Sequence, residues 1–384
     1  MTEPFLREIT PGNLLSFGPN PEPIKLNQLN ILIGANGSGK SNLIEVIHVL
    51  RSTPGDLRSA FRPGFSDWIW KGELDTSPIL GFSIKHYKHD HLKIDHVLAL
   101  ELRNQTFSIE RESVFDFTLY GGKVKYMVND LGVFISDLDK FNRVSDRGIM
   151  KDLSVLSLIQ DPERFPELYF LADNYKKMRI YREWQFGRNS LLRLPQSTDN
   201  RHEILEEDFS NLAMHLNYLR SFPAVRRKLI EKLQNVFAGI TDFDVSVVGG
   251  TAQIYLIEGD YRIPATRLSD GTLRYLCLLA ILCNPEPQPL ICLEEPELGL
   301  HPDLLSGLVD LIKECSERTQ MIVTTHSEFI VDGFSESPEC VMVVDKEDGI
   351  TKMTRLNYDS LKVWLEKYSL GQLWNQGQIG GTRW

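Results

Sequence analysis

"ILIGANGSGKSNLIEVIHVL", residues 31–50, changes character twice in twenty positions. An apolar strand, Ile31-Leu32-Ile33, runs into a glycine-rich turn, and the turn into a segment with Leu43, Ile44, Ile47 and Leu50 on one helical face. The turn, Gly34 to Ser41, matches Gly-x-x-x-x-Gly-Lys-Ser in full. A loop that wraps a polyphosphate must aim several backbone amides at one point. It has to turn tightly with no Cβ in the way, and Gly34, Gly37 and Gly39 supply that freedom. Lys40 would reach the β- and γ-phosphates, Ser41 would offer its hydroxyl to Mg²⁺, and the helix N-terminus adds partial positive charge. The pattern arises by chance in roughly one or two per cent of chains this long. The strand before and the helix after are therefore what favour phosphate binding over a glycine-rich turn that binds nothing.

The totals set limits on the rest. The chain has 384 residues, 42% hydrophobic and 24% charged, which suits a soluble globular protein of about two to three domain-sized units. A net charge of -10 argues against a generic nucleic-acid coat, because phosphate binding needs a positive face, but leaves room for one basic patch. The five cysteines, Cys277, Cys283, Cys292, Cys315 and Cys340, form no Cys-x-x-Cys pair and read as reduced thiols of a cytoplasmic protein. No apolar run is long enough to cross a bilayer, and "MTEPFLREIT" lacks the features of a signal peptide.

Along the chain, alternating strands are expected from about Pro78 to Ile135, with Gly121-Gly122 as a hairpin turn. A mostly helical stretch, interrupted near "GRNSLLRLPQSTDNR", should cover 150–235, and strands return at "DFDVSVVGGTAQIYLIE". Strand-turn-helix patterns at both ends imply an α/β core assembled discontinuously. The expected segments are 1–150, 151–235 (a helical insertion), 236–350 and 351–384 (a helical tail).

Two strand ends carry chemistry. "LICLEEPELGLHPD", residues 290–303, is an apolar strand ending in two carboxylates. A hydrolytic site on a phosphate loop needs one carboxylate to help hold Mg²⁺ and another to orient or deprotonate water. Glu294 suits the first role and Glu295 the second; a solvated acidic loop explains two glutamates flush against a buried strand less well. "MIVTTHS" sets His326 at the end of the next strand, which should finish at the same rim of the sheet, where ligands of open α/β sheets bind. "RLSDGTLRYLCLLAILC", residues 267–283, sends a small polar turn straight into an apolar helix, with Ser269 as an ordinary N-cap.

Together these motifs resemble the ATP-binding-cassette class of P-loop ATPases, in its SMC/RecF-like branch, and most of all the stand-alone bacterial "AAA family ATPase" proteins. "GANGSGKSN" corresponds to Walker A, "LSDGTLR" to the signature, "LICLEEPELGLHPD" to Walker B and D-loop, and "TTHS" to the H-loop; the tail "YSLGQLWNQGQIGGTRW" is also similar. The resemblance implies an α/β P-loop NTPase fold, an ABC-type head with an antiparallel β lobe and a helical insertion. It implies ATP and Mg²⁺ as ligands. Gly34, Asn36, Gly37, Ser38, Gly39, Lys40, Ser41 and Asn42 would hold the nucleotide, with Ser41 and Glu294 on the metal. Glu295 and His326 would be catalytic. It further implies a homodimer, or a higher oligomer, in which Ser269, Asp270 and Gly271 meet the ATP of the partner. Glu294 stands where most of the class has Asp. No Q-loop glutamine follows the first helix; "AFRPGFSDWIWKG" occupies that place.

Other stretches compete for attention. "KHYKHDHLKIDH" holds His86, His89, His91 and His96, and reads as a hairpin tip facing water more readily than as a metal site. "KKMRIYREWQFGRNSLLR", residues 176–193, interleaves six basic residues with Tyr181, Trp184 and Phe186. That mix suits nucleic acid, but equally a structural arm whose arginines pair with "EILEEDF". Trp374 and Trp384 should pack on the core. About thirty-five residues follow "VVDKEDG", too few for a separate catalytic domain; Asp345 and Asp348 read as a charged turn, and no nuclease is expected. The function implied is ATP hydrolysis in DNA-related or anti-phage processes. The alternative is an ATP-gated scaffold for a separately encoded nuclease or toxin. A transporter subunit fits poorly, because nothing resembles a Q-loop that would speak to a membrane partner.

Overall fold

Leu29–Ile33 is buried at every position, which a strand tolerates only when both faces of its sheet are covered. It pairs in parallel with Val341–Glu347, Ile33 opposite Val343, and that strand returns antiparallel through Ile350–Arg355. The helix Lys40–Ser52 follows the glycine turn and buries Leu43, Ile44, Val46, Ile47, Val49 and Leu50. Its apolar stripe is broad enough for a helix packed deep in the core.

The computed structural model describes residues 3–72, 77–103, 106–117, 123–129, 132–137, 140–145, 152–199, 201–237, 239–286 and 288–381. The expected turn at Gly121-Gly122 and the terminal Trp384 lie outside them. By contacts the chain divides into two units: Met1–Met178 with Ser337–Lys367 and Leu373–Trp384, and Arg179–Glu336 with Tyr368–Gln372.

The first unit contains the strands just named and an antiparallel sheet. From Ile79–Lys85 the sheet runs as a meander through Lys93–Arg103, Thr106–Asp116, Lys123–Asn129, Gly132–Asp137 and Lys140–Ser145. Alternation in "KIDHVLALELR" places Ile94, His96, Leu98 and Leu100 inward, the period-2 signature that predicted this lobe. The expected Q-loop position is filled by two short 3-10 turns, Leu57–Phe61 and Phe65–Asp67. Phe61 lies 4.9 Å from Phe65, 5.1 Å from Trp68 and 4.8 Å from Phe107 between ring centres, so "AFRPGFSDWIWKG" serves as core.

The second unit is built on three parallel strands: Arg179–Tyr181, Leu290–Glu294 and Gln320–Thr324. The helix Leu305–Ser316 makes the crossover between the last two, as a parallel pair requires. Glu294 pairs directly with Thr324, so both chains leave the sheet at one rim. The antiparallel pair Ile240–Val248 and Thr251–Glu258 lies in the same unit, as does the helix Asp270–Leu282, buried without a break from Thr272 to Leu282.

Two expectations need correction. The helical stretch 150–235 is interrupted at Arg179–Tyr181, which joins the parallel strands because Ile180 and Tyr181 are apolar enough to be buried there. Asp345 belongs to the strand Val341–Glu347 rather than to a turn, and its carboxylate accepts the Gly381 amide at 3.1 Å. No helix among the described residues is long and apolar enough to cross a membrane.

Candidate functional site

In the first unit the glycine turn has the shape of a phosphate cradle. Gly34 has φ +153° and Gly39 φ +113°. A Cβ at Gly34 would stand 2.1 Å from the Val344 carbonyl oxygen, and one at Gly39 2.1 Å from Thr351 Oγ1. Only glycine fits either position, for reasons of both backbone and space. Around Gly37, by contrast, there is open space. Lys40 Nζ lies inside the loop, donating to the carbonyls of Gly34 (2.7 Å) and Ala35 (2.9 Å). The Ser38 hydroxyl is buried without a partner among the described residues, an orphan donor of the kind a phosphate oxygen satisfies. Asn36, Gly37 and Ser41 are exposed. The loop is braced from below: Thr351 Oγ1 donates to the Ser38 carbonyl (2.7 Å) and accepts from Ser16 Oγ (2.6 Å), which in turn receives Asn42 Nδ2 (2.6 Å). These residues fit a polyphosphate.

The C-terminal segment reaches the same loop. Trp374 is buried and donates from Nε1 to the Gly381 carbonyl at 2.7 Å, and a Cβ on Gly381 would lie 3.3 Å from Gly34 Cα. Of the two expected tryptophans, Trp374 does pack on the core.

In the second unit the rim where Leu290–Glu294 and Gln320–Thr324 end gathers the expected carboxylates and histidine. Glu295 takes the left-handed backbone region, φ +47°, and its amide donates to the Thr324 carbonyl at 3.1 Å. Its Oε1 lies 3.5 Å from His326 Nε2. Both side chains are half-buried, so this rim is open to solvent and ligand. Glu294 sits one residue earlier, half-buried at the strand end, and its carbonyl accepts Trp184 Nε1 at 2.8 Å.

The signature turn is where the sequence placed it. Ser269 Oγ accepts the Thr272 amide at 3.0 Å, capping the helix Asp270–Leu282 as expected. Arg193 holds the turn from behind, donating to the carbonyls of Ala265 (3.1 Å) and Leu268 (2.6 Å) and pairing with the Asp270 carboxylate. A Cβ at Gly271 would approach the Gly299 carbonyl to 3.1 Å, so the signature turn lies close against the segment that follows the acidic strand.

Several supporting residues were not singled out from the sequence. Arg274 projects from the apolar helix to the carbonyls of Glu295 (2.8 Å) and Pro296 (3.3 Å), with its guanidinium 4.5 Å from the centre of the Trp184 ring. Burial lowers its pKa to about 10, which still leaves it charged at neutral pH. An arginine inside "LRYLCLLAILC" was the legible signal, since an unpaired charge is not buried. Glu297 was missed as well; it is buried and its pKa is raised, first by burial and also by the charge of Glu295.

Part of the basic–aromatic stretch is structural: Arg179–Tyr181 is a strand whose Ile180 backbone amide donates to Glu207 Oε1 (2.6 Å), a main-chain contact to "EILEEDF" where arginine side chains were expected to pair. The histidine-rich hairpin corrects one reading, because His86 and His96 do not face water. His96 Nε2 lies 2.9 Å from Glu112 Oε1, His86 Nε2 lies 3.3 Å from Asp116 Oδ1, and all four residues are buried. Alternation carries these positions inward, and the acidic partners offset the cost of burial. Three thiols are held protonated by their surroundings: burial pushes Cys283 and Cys315 up to about 11, and Cys277 higher still.

A family described as "AAA domain, putative AbiEii toxin, Type IV TA system" matches residues 29–332. No curated protein matches the chain in sequence. Solved structures do match in shape. An SMC head bound to the C-winged helix domain of ScpA has a TM-score of 0.59 at 14% identity, covering 93% of this chain and 99% of that one. The SMC head with an extended coiled coil from Pyrococcus furiosus, bound to the C-terminal domain of ScpA, gives 0.57 at 14% identity over 95% and 99%. A head with coiled coil and joint from Pyrococcus yayanosii gives 0.53 at 13% identity, again over 95% and 99%. At such identities the likeness shows the fold, that of an SMC head, while the family match spans most of the chain. The chain has the fold of an SMC head and belongs to the AAA-domain family whose description names the putative AbiEii toxin.

Proposed function

We propose that the chain hydrolyses ATP in a Mg²⁺-dependent cycle and dimerises around the nucleotide. The observation that carries this is the pairing of Glu295 with His326 at a shared rim, in a chain that also has a complete phosphate loop. Gly34 to Asn42 bind the phosphates through backbone amides, the Lys40 ammonium and the helix N-terminus. Ser41 and Glu294 would hold Mg²⁺, which when bound neutralises charge on the phosphate oxygens. Glu295 orients the attacking water and takes its proton, while His326 keeps that carboxylate in place and donates a hydrogen bond to the γ-phosphate. Ser269, Asp270 and Gly271, at an exposed helix N-terminus, complete the site of a second copy, in an isologous two-fold pair. The cytoplasm is the proposed location.

The decisive experiment is Glu295→Gln. Steady-state hydrolysis should fall by about 100-fold or more, with ATP binding retained and a dimer trapped by ATP. Hydrolysis at the wild-type rate would rule out Glu295 as the base.

A second reading is favoured by the family's description, which names a toxin and a toxin–antitoxin system. There the chain is an ATP-gated scaffold that holds or releases an effector such as a nuclease or toxin, in defence or on DNA, and hydrolysis only resets it. Under that reading Glu295→Gln locks the partner-bound state. Salt-sensitive stimulation of hydrolysis by DNA would instead indicate direct contact with the polymer.

A further inference from the structure

Glu297 is the third carboxylate of "EEPE", and no role above uses it. Its side chain turns inward, nine-tenths buried. Oε1 accepts two hydrogen bonds, from Thr325 Oγ1 at 2.6 Å and from the backbone amide of His326 at 2.9 Å. Oε2 is buried with no partner among the described residues. A carboxylate satisfied on one oxygen only is a costly thing to bury, so burial for its own sake does not explain it. What it achieves is geometric. Thr325 Oγ1, while donating to Glu297, accepts the amide of Ser327 at 3.0 Å, so one carboxylate fixes three consecutive residues after the strand Gln320–Thr324. The middle residue of the three is His326, whose imidazole lies 3.5 Å from Glu295.

The rest of the rim is fixed independently. Glu295 is anchored through its amide to Thr324, and through its carbonyl to Arg274. The hydrogen bonds of the Glu297 carboxylate go to the histidine segment, and its charge also acts on Arg274. Directly after Glu297, Leu298 and Gly299 are exposed, so the carboxylate joins an exposed loop to the backbone of the histidine.

We propose that Glu297 is a positioning residue for ATP hydrolysis, an acceptor that fixes the backbone of His326 so that its imidazole stays at the Glu295 carboxylate. This role presupposes the ATPase reading given above. What positioning requires is an acceptor oxygen and not a charge, so the carboxamide of glutamine serves and a methyl does not.

The test compares full-length wild type, Glu297→Gln, Glu297→Ala and Thr325→Val in steady-state ATP hydrolysis, ATP binding and thermal unfolding. Glu297→Ala should lower kcat by about tenfold or more while KM for ATP stays within about twofold, the pattern of an interaction used mainly in the transition state. Glu297→Gln should remain within about threefold of wild type. Thr325→Val, which removes the donor to Glu297 and the acceptor for the Ser327 amide but leaves the His326 amide on Glu297, should fall between the two. The proposal is overturned if the folded alanine variant keeps the wild-type kcat, or if glutamine is as inactive as alanine. Should the alanine variant not fold, an unchanged kcat in Thr325→Val overturns it. A wild-type chain that binds ATP without hydrolysing it sinks the ATPase reading and this role together; wild-type hydrolysis that ignores Glu297→Ala sinks this role alone.

Discussion

His326 Nε2 lies 3.5 Å from Glu295 Oε1, and the strands that deliver the two residues end as a pair, Glu294 opposite Thr324, one residue before Glu295 and two before His326. Parallel pairing in that register brings together the ends of two strands that carry residues thirty-one positions apart, and Glu297 holds the His326 backbone there. His326→Ala should therefore leave the strands intact and lower kcat by about 10- to 100-fold, with ATP binding unchanged. The check is a hydrolysis assay alongside equilibrium binding.

Lys40 and Gly39 test the phosphate loop separately. Lys40→Ala should weaken ATP binding by about tenfold or more, through loss of a charge-assisted contact, with little change in unfolding temperature. Gly39→Ala meets both φ +113° and the Thr351 hydroxyl, so it should abolish binding and cost about 1–3 kcal/mol of stability. Fluorescent-nucleotide titration and chemical denaturation distinguish the two.

Ser269 has one role that is visible and one that is proposed. Loss of the cap in Ser269→Ala should cost about 1 kcal/mol and leave the monomer able to bind ATP. A bulky replacement, Ser269→Phe, should in addition abolish ATP-driven dimerisation in a Glu295→Gln background. Light scattering with and without ATP reads the difference; a dimer that persists in Ser269→Phe removes the signature turn from the interface.

Glu297 gives a pH dependence whose sign is fixed by its burial. Its pKa is raised in the folded chain, so the folded state binds more protons than the unfolded one above the ordinary carboxylate range. The contribution it makes is present at low pH and is lost as pH rises through the folded pKa. Glu297→Gln, which cannot ionise, should then be at least as stable as wild type at neutral pH, with the advantage disappearing in mild acid. Unfolding temperatures from pH 4 to pH 8 settle it.

Trp374 ties the C-terminal segment down beside the phosphate loop. Trp374→Ala empties a buried site and should cost about 3–5 kcal/mol. Because Gly381 lies against Gly34, the same variant should also weaken ATP binding. Binding measured well below its unfolding temperature reports the second effect without the first.

The phosphate loop was legible because its chemistry is local. The glycines, the lysine and the serine are contiguous, and the strand and helix around them follow from periodicity alone. Glu294, Glu295 and His326 were legible one step further out, since a parallel pair linked by one helix ends at a common rim. The antiparallel lobe was readable for the same reason, as alternation in "HVLALEL" sets its faces.

Other features depended on partners far away in sequence. Nothing in "KHYKHDHLKIDH" says that His96 will meet Glu112 inside the lobe, because a histidine's burial depends on what the facing strand supplies. The strand Arg179–Tyr181 looked like part of a basic helical arm until Leu290–Glu294 gave it an edge to join. Asp345 read as a turn residue until the Gly381 amide came to it. Sequence alone determined the phosphate-loop motif and the acidic strand end, because each is written in neighbouring residues whose spacing the backbone fixes. Tertiary structure alone decided that Glu297 holds the His326 backbone, that Arg274 and Arg193 brace the turns at Glu295 and at Ser269, and that Gly381 lies against Gly34. Those contacts join segments that no local period relates, and they form only when burial forces each polar group to find a partner.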